Sequence, residues 1–134
     1  MESIPARQPP ADPSPAEARA SERMLGARWA ALLDAGNAIA PLAGIAPDDG
    51  GARLRRFPSQ LQSAAPWQVD NAKNAIADLA SVLETGLTAL LAASARGRDV
   101  TAPALMLWRE YHAAREAIAA LAPVHSPLGP PRRA

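Results

Sequence analysis

An all-α fold, an antiparallel three-helix bundle, is what this 134-residue sequence predicts, and three observations carry the prediction. The first is a heptad pattern over 66–96. Val69, Ile76, Leu83 and Leu90 fall seven apart, and Ala72, Leu79, Gly86 and Ala93 each stand three residues later. Asn71, Asn74, Asp78, Ser81, Glu84, Thr85 and Thr88 take the opposite side, so this segment reads as one helix with a buried seam and a wetted back. The second is alanine, present 33 times, the strongest intrinsic helix former and one with no rotamer freedom to lose. The third is that no alternating run of Val, Ile, Thr or Tyr is present to build a strand.

Taken in order, the chain opens with Pro5, Pro9, Pro10, Pro13 and Pro15, a density that predicts a disordered, extended tail over 1–15. A helix follows over about 16–40, where Leu25, Leu32 and Ile39 recur every seven residues beside Met24, Trp29, Leu33 and Gly36. Ser14 is placed to cap it, with Pro15 at the first helical position and Glu17 near the positive end of the dipole. Pro41 removes a backbone donor and is expected to end it. Asp48, Asp49, Gly50 and Gly51 then read as a turn, since a calcium loop would need further alternating oxygen ligands and a closing Glu.

The 41–65 connector has room for a short fourth helix, one or two turns broken at Pro58. Its Leu54, Phe57 and Leu61 would cover the end of the core while Arg53, Arg55 and Arg56 face water. Pro66 opens the central helix, which at about 1.5 Å per residue would run roughly 46 Å before Gly97 stops it in the left-handed conformation. Only 97–100 separate it from the next helix, which forces a hairpin. That third helix starts near Thr101, capped by Asp99 or Thr101, and turns Ala104, Leu107, Trp108, Tyr111, Ala114, Ile118 and Leu121 to one face until Pro123. A second proline-rich tail closes the chain over 123–134, leaving 16–122 as the helical unit.

Composition excludes several functions. A net charge of +1 lacks the basic field that nucleic acid requires, and the absence of cysteine removes disulfides, thiolate nucleophiles and thiolate zinc sites. No signal-peptide pattern and no uninterrupted apolar run of about 18 residues or more is present, so a soluble cytoplasmic protein without a transmembrane segment is expected. There is no glycine-rich phosphate loop or nucleophile elbow. His112 and Glu116, one turn apart, lack the third and fourth partners of a metal site, so no metal, no cofactor and no enzymatic activity are expected. Trp29, Trp67, Trp108 and Tyr111 read as core and packing anchors.

The functional expectation is a non-catalytic protein-interaction module, an adaptor, an assembly or secretion chaperone, or a regulator, offering a helical groove to a protein partner or to a second copy of itself. Its candidate contacts are Arg53, Arg55, Arg56, Phe57 and Trp67 of the connector, with Val82, Leu87 and Leu91 flanking the central seam. The alternative is a granule or lipid-surface coating protein; Lys73 is the only base within the central helix, so such a surface would be uncharged. A third reading is histidine phosphotransfer on His112, whose basic neighbour Arg115 is similarly spaced in phosphotransfer domains, although Glu116 stands where those domains carry a small residue.

Overall fold

The computed structural model describes residues 14–47 and 50–123; residues 1–13 and 124–134 of the two expected tails, His125 among them, and Asp48 and Asp49 of the acidic turn lie outside them, while Pro15, expected in the first tail, opens α1. Five helices and no strand occur among the described residues. α1 spans Pro15–Leu42, α2 Gly51–Arg55, α3 Phe57–Leu61, α4 Pro66–Ala95 and α5 Thr101–Ala119. The fold is all-α, as the alanine content and periodicity require.

Local chemistry explains each boundary. At the start of α1, Glu17 N–H donates to Ser14 Oγ (3.1 Å) and Ser14 N–H donates to Glu17 Oε1 (3.0 Å), a reciprocal cap that satisfies two donors no helix turn can reach. α1 then runs through Pro41 rather than ending there. A proline in the last turn gives up only one helical hydrogen bond, and the real terminator is Gly44, at φ +77°. Gly44 N–H donates to Pro41 O (3.0 Å) and Ile45 N–H to Ala40 O (2.8 Å), closing carbonyls the helix leaves open. α4 ends the same way, with Gly97 at φ +80°, Gly97 N–H on Ser94 O (2.9 Å) and Arg98 N–H on Ala93 O (3.1 Å). At the start of α5, Asp99 Oδ1 accepts from Thr101 N–H (3.0 Å) and from Thr101 Oγ1 (2.7 Å). These bonds hold the Asp99 carboxyl below its ordinary range.

The connector holds two one-turn helices rather than one, and Pro58 lies in the first turn of α3 instead of breaking a helix, because there its missing donor costs nothing. α5 stops at Ala119, short of Leu121, and the chain turns so that Ala122 is still buried.

The core follows the seams. Leu25, Trp29, Leu32 and Ile39 of α1 meet Ala72, Ile76, Leu79, Leu83 and Leu90 of α4 and Ala104, Tyr111 and Ile118 of α5, and each of these long helices packs on the other two. Leu54, Phe57 and Leu61 are buried beside them, as the apolar spacing of the connector requires. Trp29 joins connector to bundle: its ring centroid lies 4.4 Å from that of Phe57, and its indole N–H donates to Leu54 O at 2.7 Å. Small residues set two close approaches, with Gly36 under the Tyr111 ring and Gly86 under Leu107. Trp67, expected as a packing anchor, is exposed instead, and Met24 beside the α1 seam is exposed too.

Candidate functional site

Between α1 and the α2–α3 connector lies an open groove of about 610 Å³. Its rim carries Arg19, Glu22 and Arg23 from α1 and Arg55 and Ser59 from the connector, and its floor is Gly26, Trp29, Ala30, Leu33 and Pro58. On α1, 19, 23, 26, 30 and 33 recur at three- and four-residue spacing, a second stripe beside the core seam. Trp29 borders both stripes and is almost wholly buried, so it fixes the groove floor without offering a ring face to solvent. Nothing lies within 4 Å of where a Gly26 side chain would begin. Arg19 and Arg23 line the groove, and among the described residues neither has an ion pair.

A second polar cluster lies on the other side of the connector. Arg115 is 2% exposed, on the inward face of α5. Its Nε and Nη2 donate to Glu116 Oε2 (3.2 and 3.1 Å), its Nη1 to Tyr111 Oη (3.4 Å), and its guanidinium carbon lies 5.3 Å from the Tyr111 ring centroid. Glu116 Oε1 in turn accepts from Arg53 Nη2 at 2.6 Å, so one carboxylate ties α2 to α5. Burial disfavours charge at both positions, but for Arg115 the bonds and charges of Tyr111 and Glu116 outweigh it and raise the pKa. For Glu116 the two arginines likewise outweigh burial and hold the carboxyl below its ordinary range.

The residues singled out from the sequence do not form one site. Arg55 lines the groove, whereas Arg53 is engaged by Glu116, and Arg56 is exposed. Phe57 is buried, and is therefore a core residue rather than a contact, because its ring packs at a tilt against Trp29. Leu87 is half-buried against the core, while Trp67, Val82 and Leu91 are 64, 44 and 52% exposed. Val82 and Leu91, nine residues apart at 3.6 residues per turn, stand about 180° apart on opposite flanks of α4. They cannot share a patch. The His112 ring stacks on Trp108 with centroids 5.0 Å apart, and Glu116, one turn on, accepts bonds from Arg53 and Arg115. Arg115 turns inward to Tyr111 rather than lying free beside His112.

Comparison of the chain with known protein families, with curated proteins and with solved structures finds no match in any of the three.

Proposed function

We propose that the chain is a non-catalytic helical interaction module, and that α1, α4 and α5 form one bundle whose groove beside α1 receives a protein partner. Two sets of contacts support α5 running against α1: Gly36 lies under Tyr111, and Phe57, packed against Trp29, lines one hollow with Ala119 and Ala122. The Gly86–Leu107 approach and the short 96–100 link support α5 running against α4 as well. α1 and α4 then point the same way, which fits the 3.4 Å approach of Lys73 Nζ to Ser21 Oγ near the start of both. Helices that run in the same direction need a long return between them. The 28 residues of α1 span about 42 Å at 1.5 Å per residue, and the 43–65 connector covers that return.

The observation that carries the functional reading is the apolar groove floor beside Arg19 and Arg23, neither of which has an ion pair among the described residues. Apolar floors with polar rims are how helical modules seat a partner segment. A photo-crosslinking side chain placed at Ala30 or at Ser59, in the full chain and in extract of its source cells, should yield discrete protein adducts that the same group at Ser81 does not. Equal labelling from all three positions, or none, goes against the reading. The cytoplasmic setting expected from composition belongs to the same proposal.

One observation favours surface coating as a second reading: α4 is long and apolar enough to cross a membrane by length and composition alone. Flotation of the chain with neutral phosphatidylcholine vesicles, lost in a Val82→Asp, Leu91→Asp variant, is the outcome that reading requires. Phosphotransfer on His112 draws less support, since both Arg115 and Glu116 are occupied by other partners. Absence of label on His112 after incubation with a phosphorylated receiver protein would remove it.

A further inference from the structure

We propose that a second copy of this chain covers the outer flank of α4, as an antiparallel α4–α4 pair about a two-fold axis between Ala77 and Ala80. Besides its buried seam, α4 carries a second stripe at alternating spacings of four and three: Lys73, Ala77, Ala80, Glu84, Leu87 and Leu91. Ala77, Ala80, Glu84 and Leu91 are exposed, and Lys73 and Leu87 are half-buried, so the bundle leaves this stripe open. α4 holds an 18-residue window apolar enough for a membrane, yet only 22% of that window is buried. Much of an apolar helix is therefore left for another surface to cover. The stripe lies on the flank of α4 away from Val82, and it is independent of the groove beside α1.

Charge selects the occupant and the register. A parallel pair of copies would set Lys73 against Lys73 and Glu84 against Glu84. In an antiparallel pair Lys73 of one copy meets Glu84 of the second copy, and the two-fold axis makes that contact twice. The same register sets Ala77 against Ala80 on both sides of the axis, where small side chains let the helices approach to about 8 Å. It also brings Leu91 against Pro66 at each end. Leu87 falls opposite Asp70, but Leu87 is packed on its own core, so that mismatch stays at the rim. One heptad away in either direction the ion pairs are lost, because Lys73 then falls against Leu91 or Ala77. Both charges are available. Among the described residues the Glu84 side chain has no ion pair or hydrogen bond, and Lys73 Nζ makes only a long 3.4 Å approach to Ser21 Oγ, which leaves it two donors. Arg28 lines the same small hollow as Lys73 and adds a second cation at that end.

From Pro66 to Leu91 the pairing runs about 38 Å, but along a single helix of each copy, so the association is weak and is read at high concentration. Sedimentation of the full chain should show a dimer that forms as concentration rises. Lys73→Glu and Glu84→Lys, each alone, should weaken self-association about tenfold or more, because each turns two attractive pairs into repulsive ones. The double variant Lys73→Glu, Glu84→Lys should regain the association of the parent, a recovery that no folding defect produces. An equimolar mixture of the two single variants should form mixed dimers. Val82→Asp, on the other flank, should change nothing. A monomer at every concentration overturns the proposal, as does a dimer indifferent to both single variants or one lost only in Val82→Asp. A photo-crosslinking side chain at Ala80 of the full chain should join two copies. If in cell extract it yields adducts of other proteins and no crosslinked dimer, the flank belongs to a different partner and the proposal fails.

Discussion

Two glycines ten residues apart on α1 show how far a residue's role depends on what faces it. A side chain begun at Gly26 meets nothing within 4 Å, whereas one begun at Gly36 would overlap the Tyr111 ring at 2.1 Å from its Cζ. Alanine is the better helix former, so Gly26→Ala should raise stability by about 0.8–1 kcal/mol. Gly36→Ala should lower it by about 1–3 kcal/mol, because the core would have to move to admit it. Paired denaturant melts check both signs. Arg115 is the other lesson at this scale. It occupies a seam position, seven residues after Trp108 and four after Tyr111, and that spacing was legible; its identity as arginine is what masks a core position. Against the opposing effect of burial, Arg53 and Arg115 hold the Glu116 carboxyl lower in the fold than in the unfolded chain. Its ionised form therefore adds stability that is fully present above the ordinary carboxylate range and lost as pH falls through the folded value. Melting temperatures should drop on acidification across that window in the parent and respond less in Glu116→Gln, which should also be less stable at neutral pH by about 2 kcal/mol, the scale of a charged hydrogen bond.

At the scale of the element, caps and terminators were read correctly where the chemistry is local and misread where two signals compete. Ser14, Pro15 and Glu17 open α1, and Gly97 closes α4, as their residue types dictate. Pro41 and Gly44 compete to end α1, and Gly44 prevails because a left-handed glycine satisfies open carbonyls while a late proline forfeits a single bond. Nothing crowds Gly44, so Gly44→Ala isolates the cost of the left-handed backbone: a loss of about 1–2 kcal/mol, read as a lower unfolding midpoint. Were it neutral, Pro41 would be the terminator after all. The groove stripe on α1 could have been found by asking which residues recur at three- and four-residue spacing off the core seam. It was overlooked because three arginines close in sequence, Arg53, Arg55 and Arg56, drew the reading to the connector. The fold sends those three to different surroundings.

For the whole molecule, the relative direction of the long helices is the consequential feature. The chain contains no cysteine, so introduced pairs have no background. With α1 and α4 parallel, a Ser21→Cys, Lys73→Cys protein should be joined by a short bis-maleimide, and a Ser21→Cys, Ala92→Cys protein should not. The reverse pattern on denaturing gels would place α1 antiparallel to α4. The same experiment bears on the groove, because only a connector that returns along α1 brings Arg55, Pro58 and Ser59 beside Arg19 and Arg23.

By itself the sequence determined where the three long helices lie, which face of each is apolar and how α1 begins. Those properties arise from neighbours within one or two turns: side-chain period, capping hydroxyls and carboxylates, and glycine backbone freedom. Tertiary structure alone decided that Trp67 is exposed, that Arg115 lies inside against Tyr111 and Glu116, and that a groove exists beside Arg19 and Arg23. The physical reason is that each depends on where a distant segment is laid down. A ring four residues from an arginine, as Tyr111 is from Arg115, is solvent-facing or core according to which helix crosses it, and no local periodicity records that choice.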